Sequence, residues 1–220
     1  MFVLASPFRD TLLRWGYKGP IKMMTTTTED SFLDYPRTYD AQKKCYNVLY
    51  LSRITKLKGI FPALETVRIL QQEMKLNFRF TIAGYGDCVD EVLKKIEELH
   101  LQNVDFKGYV AGEKKIETFQ EADIFFFPSF IEGMPNVVLE AMALGLPIIT
   151  TRVGGLPDFF KNNEMGFMVD SVSPQDFANR IAELLNNPSL LETFGKYNRE
   201  YARNHFRASL VAEKLKGYLV

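Results

Sequence analysis

Glu132 and Glu140 stand eight positions apart in SFIEGMPNVVLEAMALGLP, residues 129–147, across what reads as a helix start. Pro135 and Asn136 suit the opening of a helix, and Gly145 followed by Pro147 suits its end. The first amides of a helix have no internal partner and carry partial positive charge, which attracts phosphate. Gly133 lets such a group approach the backbone closely. Helical side chains lean toward the N-terminus, so Glu140, about one turn inside the helix, is predicted to reach back to the same pocket. A carboxylate repels phosphate but accepts hydrogen bonds from neutral hydroxyls, as the acid that grips ribose does in dinucleotide-binding folds. Glu132, in the loop before the helix, could take the hydroxyls of a sugar. The pair would then bracket a sugar–phosphate–ribose ligand. The spacing alone serves equally well for two solvated acids drawn to a helix dipole.

A second group is LSRITKLKGI, with Arg53 at the end of a predicted strand and Lys58 at the start of the next helix. An arginine fork and a lysine point charge at one sheet edge suit a diphosphate. Solvated loop cations are the plainer reading of the same residues. AGYGDC supplies Gly84 and Gly86 after a strand, but Val89 stands where a dinucleotide fingerprint has its third glycine. Gly154 and Gly155 in TTRVGGLPDF either line the cleft or form a tight turn. His100 and His205 have no acid or nucleophile pattern beside them and read as surface or packing residues.

Positioning these groups requires a regular frame. YNVLYLSR, FRFTIAG, NVDFKGYV, DIFFFPS, LPIITTRV and MGFMVD read as strands, apolar along most of their length. Between them run helical stretches: roughly 59–75, one carrying Val89, Val92, Leu93, Ile96 and Leu99 on one face, EKKIETFQEA, NVVLEAMALG, and a short helix after Pro157. This alternation predicts an α/β fold, a doubly wound parallel sheet with helices on both faces. Ligands of such sheets sit beyond the carboxyl ends of the strands, where each motif above falls. PQDFANRIAELLNN, SLLETFGKYNREYARNHF and SLVAEKLKGYLV make the C-terminus helical. Residues 1–42 do not join the alternation, showing one short helical stretch, then a strand, then a polar linker; 43–220 form the predicted domain.

The totals narrow the classes. With 220 residues, 46% hydrophobic, the chain supports one well-buried core. Lys+Arg and Asp+Glu balance at 27 each, so no net field points to nucleic acid as a partner. Cys45 and Cys88 lack metal-type spacing and are expected to be reduced thiols of a cytosolic protein. No secretory leader precedes the first motif, and the apolar runs are too short to cross a bilayer, so a soluble, cytoplasmic chain is expected.

Taken in order, LSRITKLKGI, IAGYGD, VDFKGYV and ADIFFFPSFIEGMPNVVLEAMALGLPIITTRVGG closely resemble the nucleotide-binding, Rossmann-like half of retaining GT-B glycosyltransferases, the group called glycosyl transferases group 1 or family 4. The resemblance spans 46–220, and Glu132 and Glu140 match that family's E-x7-E motif. It implies a nucleotide-diphospho-sugar donor of UDP or GDP type and an enzyme of hexosyltransferase type. It further implies that Arg53 and Lys58 neutralise the diphosphate, that these two and Glu132 are catalytic, and that Glu140 accepts the ribose hydroxyls. Glu132 and the backbone around Gly133, Met134, Pro135, Asn136 and Val137 would contact sugar and phosphates; Gly108, Tyr109 and Val110 would border the nucleobase; Gly84 would lie in the cleft loop. No cofactor and no obligatory metal are implied, in keeping with the lack of an Asp-x-Asp motif.

Departures from the pattern carry expectations too. ASPFRDTLLRWGY resembles the end of the acceptor half, and TTTTED stands where relatives carry an Asn-Gly-Val-Asp-like linker. The chain is therefore expected to be the donor part of a longer or split protein, partnered by an N-terminal acceptor domain and inactive by itself. A glycan or lipid-linked acceptor, polysaccharide or lipopolysaccharide biosynthesis, and a place at the inner face of a membrane are implied at the family level only. The apolar N-terminal residues are expected to self-associate. Two alternatives stay open: a non-catalytic nucleotide-binding module acting with a separate partner chain, and an NAD-dependent dehydrogenase, which the missing third glycine disfavours.

Overall fold

The computed structural model describes residues 1–219; Val220, at the end of the last predicted helical segment, lies outside the described residues. A short N-terminal unit comes first: β1 (Phe2–Val3), α1 (Ser6–Arg14) and β2 (Lys22–Met23), with β1 and β2 paired in parallel. The sequence showed the helix and one strand here. Each strand is only two residues long, too short to show periodicity, and β1 is not legible in the sequence.

The alternation then follows as predicted. It runs through β3 (Tyr46–Leu51), α2 (Ile60–Arg68), β4 (Phe78–Ala83), α3 (Val89–Glu98), β5 (Val104–Gly108), α4 (Glu113–Glu121), β6 (Ile124–Phe127), α5 (Asn136–Ala143), β7 (Ile148–Thr151) and β8 (Gly166–Val169). Three helices close the chain: α6 (Pro174–Asn186), α7 (Pro188–His205) and α8 (Ala208–Leu219). The helix read over 59–75 is α-helical only to Arg68 and continues as a wider π-helical segment, Ile69–Glu73. The short helix expected after Pro157 is a single 3-10 turn, Leu156–Asp158, that includes the proline.

Six parallel strands lie in the order β5-β4-β3-β6-β7-β8. The chain builds outward from β3 in one direction and then returns to build outward from β6 in the other. The strand order thus reverses between β3 and β6, which opens a crevice at their carboxyl ends.

Side chains of successive strand residues face opposite sides, and both sides here are covered. Val48 and Tyr50 of β3 join Phe80, Leu64, Val67, Val92, Phe177 and Ile181 on one face. Leu49 and Leu51 join Phe125, Phe127, Phe119, Val138, Leu139 and Met142 on the other. All six residues of β3 are buried, which is why its sequence lacks a polar alternation. Phe126, fully buried, packs on Phe177 with ring centroids 5.1 Å apart; truncating such a residue to alanine costs about 3–5 kcal/mol.

The segment preceding β3 is packed, not free. Phe32 and Leu33 are buried in the second core layer. Arg37 donates to the carbonyls of Phe119 and Gln120, both at 3.2 Å, and to that of Ala122, closing the C-terminal end of α4. Fully buried Asn198 donates to Leu146 O at 2.7 Å and Met165 O at 2.8 Å, pinning α7 beneath β7 and β8. No helix among the described residues is long and apolar enough to cross a membrane.

Candidate functional site

Two loops leave the sheet where the strand order reverses, and they are stitched to each other. A 3-10 turn, Lys56–Lys58, follows β3. Its Leu57 carbonyl accepts the Phe130 amide at 2.9 Å and the Ser129 hydroxyl at 3.3 Å, both from the loop after β6. The wholly buried Tyr50 donates its hydroxyl to Lys58 O at 3.1 Å, and burial pushes the ionisation of that phenol far above its ordinary range. Gly59 ends the turn at φ +73°, and a Cβ there would overlap the carbonyl oxygen of Pro128. Only glycine allows the two loops to approach this closely.

The stitching brings Lys58 to Glu132. Lys58 Nζ lies 2.5 Å from Glu132 Oε1, and the side chains are only 15% and 9% exposed. The two residues, with Arg53, Lys56, Asp87 and Gly133, line a cavity of about 600 Å³. Arg53, read from the sequence as the last residue of that strand, instead lies two residues past its end at Leu51.

Glu140 opens onto a second hollow, of about 380 Å³, together with Gly84, Tyr85, Tyr109, Val110, Lys115 and again Arg53. Lys115 of α4 approaches both its carboxylate oxygens, at 2.7 Å and 2.6 Å. Only Oε1 accepts a well-directed bond; Oε2 is buried without an aligned donor. Burial raises the Glu140 pKa, outweighing the lowering by Lys115. At the mouth, Tyr85 and Tyr109 meet edge to face with centroids 5.2 Å apart.

The two acids therefore do not share one pocket, as the helix geometry alone suggested. They occupy adjoining hollows with Arg53 between them. The reason is that Glu140 projects toward α4, where Lys115 meets it, while Glu132 is held under the turn after β3.

Other candidate residues serve the frame. Gly108 accepts the Gly84 amide at 2.7 Å and so sets the position of Tyr109. Pro135 is the buried N-cap of α5, whose start no side chain caps; Asn136 is exposed there, and Val137 packs on the second core layer. The Met134 side chain turns away, lining a separate cavity of about 340 Å³ with Leu4, Tyr201 and Tyr218. Gly154 and Gly155 form a tight turn that braces the acidic loop, with the Gly155 amide donating to Gly133 O at 2.7 Å. His205 stacks on Tyr201 at 3.9 Å, beside the Met134 cavity.

Lys115, Tyr85, Lys56 and Asp87 were not picked out by their sequence context. Lys115 lies in KK within an amphipathic helix, where nothing local separates it from a solvated cation. Tyr85 sits inside the AGYGD turn itself, and that turn is the one signal that could have found it.

A family model described as glycosyl transferases group 1 matches residues 34–201. The chain belongs to that family. This group 1 chain is 30% identical over 216 residues to the capsular polysaccharide biosynthesis glycosyltransferase CapM of Staphylococcus aureus, covering 96% of this chain and 55% of that protein. It is 33% identical over 153 residues to the amylovoran biosynthesis glycosyltransferase AmsK of Erwinia amylovora, covering 66% of this chain and 36% of that one. It thus spans about a third to a half of the length of these relatives. Its fold superposes on Alr3699/HepE of Anabaena, solved in complex with UDP, with a TM-score of 0.86 at 17% identity, over 99% of this chain and 62% of that one. The sheet and helices are those of the Rossmann-like domain of GT-B glycosyltransferases.

Proposed function

We propose that this domain binds the nucleotide-diphospho-sugar donor of a retaining glycosyltransferase. One observation carries the reading: Arg53 stands between a hollow that holds Lys58 and Glu132 and a hollow that holds Glu140. A diphosphate at Arg53 would place its sugar on the Glu132 side and its nucleoside on the Glu140 side. The Glu140 carboxylate, which lines the second hollow, is an acceptor suited to a ribose hydroxyl, and the exposed Tyr85–Tyr109 pair offers aromatic surface to a base.

Lys58 neutralises Glu132. When the diphosphate arrives, Lys58 turns to the phosphate oxygens and Glu132 becomes free to accept sugar hydroxyls. Breaking the sugar–phosphate bond leaves an oxocarbenium-like sugar and places more negative charge on the diphosphate. Cations already fixed beside that charge stabilise the transition state more than the ground state. Retention of anomeric configuration, no obligatory metal, and transfer to a glycan or lipid-linked acceptor in polysaccharide assembly belong to this proposal. So does the role of residues 1–42 as the end of an acceptor-binding half. CapM is named for capsular polysaccharide biosynthesis and AmsK for amylovoran biosynthesis, which supports it.

Titration of UDP and GDP in the presence of EDTA tests the donor site. One nucleotide should bind with metal removed, and Arg53→Ala should weaken it by about 10- to 100-fold. Equal binding by the parent and by an Arg53→Ala, Glu140→Gln double variant would sink the reading.

A further inference from the structure

We propose that Asp158 is a positioning residue for Glu132, acting by fastening the first turn of α1 across the loop that carries that acid. Helix α1 begins without a cap of its own. Its N-cap, Ala5, is extended at φ −155° and ψ 150° and has no side-chain acceptor to offer. Pro7 has no amide hydrogen, so Ser6 presents the first donors. The cap comes instead from Asp158, 152 positions away: Ser6 N donates to Oδ2 at 2.7 Å and Ser6 Oγ to Oδ1 at 2.5 Å. A carboxylate at this end of the helix is also favoured by the dipole.

Asp158 belongs to the same turn that braces the acidic loop. Its amide donates to Gly155 O at 3.1 Å, and the Gly155 amide in turn donates to Gly133 O at 2.7 Å. Gly154, at φ +57°, lies so near that a Cβ would overlap Gly133 O and stand 2.7 Å from Glu132 O. On the other side of the loop, the Phe8 ring of α1 lies 3.6 Å from where a Gly133 Cβ would be. The Met134 side chain and the Leu4 carbonyl oxygen both crowd Gly155, within 3.0 Å of where its Cβ would be. Residues 132–134 are thus clasped between the 154–158 turn and residues 4–8, and the Ser6–Asp158 contact closes the clasp. The N-terminal unit thereby sets the position of a residue assigned to the donor site.

Backbone hydrogen exchange on the full chain, without nucleotide, tests this independently of the donor-site reading. Asp158→Asn should speed exchange of the Gly155 amide, which donates to Gly133 O, and of the Phe130 amide, which donates to Leu57 O, about tenfold, as expected for losing one charge-assisted hydrogen bond. Ser6→Ala should do the same, the double variant should add nothing further, and Ser6→Thr should restore the parent rates. The β3 amides should stay at parent rates in every variant. Acceleration confined to residues 4–9, or additive effects in the double variant, overturns the proposal. Should Asp158→Asn not fold, the Ser6 variants carry the test alone.

Discussion

Lys58 and Glu132, 74 positions apart, form an ion pair of 2.5 Å that is almost closed to solvent. Each partner is therefore held in place by the other until a competing charge arrives. Removing one member of such a pair leaves a buried, uncompensated charge, which costs about 3–5 kcal/mol. Lys58→Met should lower the unfolding free energy by about 3 kcal/mol in urea titrations, and adding Glu132→Leu should restore most of it. A single variant as stable as the parent would show that the pair is open to water.

The same pair makes a ligand-binding prediction of opposite sign. Glu132→Gln frees Lys58 from its partner, so affinity for a nucleoside diphosphate should rise about tenfold, roughly one charge-assisted hydrogen bond. Calorimetric titration reads this directly, and weaker binding would contradict the proposed exchange of Lys58 between Glu132 and phosphate.

Arg53 lines both hollows, so its loss should fall on the diphosphate and spare the nucleoside. Arg53→Ala should weaken a nucleoside diphosphate by about 10- to 100-fold. The corresponding free nucleoside should bind within about twofold of the parent, since it makes no such bond. An equal loss for both ligands would place Arg53 at the base and not between the hollows.

Burial raises the pKa of Glu140 despite Lys115. A carboxyl with a raised folded-state pKa holds its proton more tightly in the folded chain. Its contribution to stability is full below the ordinary value of 4.5 and is lost as pH rises through the elevated folded value. Glu140→Gln removes that loss. The difference in unfolding free energy should therefore shift in the variant's favour between pH 4.5 and neutrality. Parallel stability–pH curves would show that Glu140 is not desolvated.

Gly59 and Gly108 both adopt positive φ, +73° and +66°, in different surroundings. A Cβ on Gly59 would overlap Pro128 O, whereas one on Gly108 meets nothing within 4 Å. Gly108→Ala should cost only the conformational penalty, about 1–2 kcal/mol. Gly59→Ala should cost clearly more, because it also forces apart the loops that carry Lys58 and Glu132. Thermal unfolding ranks the two, and equal losses would show that these loops can separate freely.

Much of the frame was readable from local pattern. Runs such as YNVLYL and IFFF are almost wholly apolar because both faces of each strand are covered, and that burial leaves a mark on the sequence itself. The E-x7-E spacing and the Arg53–Lys58 segment were legible for a similar reason, since a glycine, a proline and a helix start have recognisable residue types. The N-terminal unit was less so, because β1 and β2 are two residues each and are held by a partner about twenty positions away.

The chain by itself determined that strands and helices alternate and that cations and acids fall at strand ends, because periodicity and turn chemistry act over a few residues. Only the tertiary structure decided that β3 lies beside β6, and hence that Arg53 stands between two hollows. It also decided that Lys115 faces Glu140 and that Asp158 caps α1. Such pairings join residues 25 to 152 positions apart, and they follow from how helices pack across a sheet, which no local spacing records.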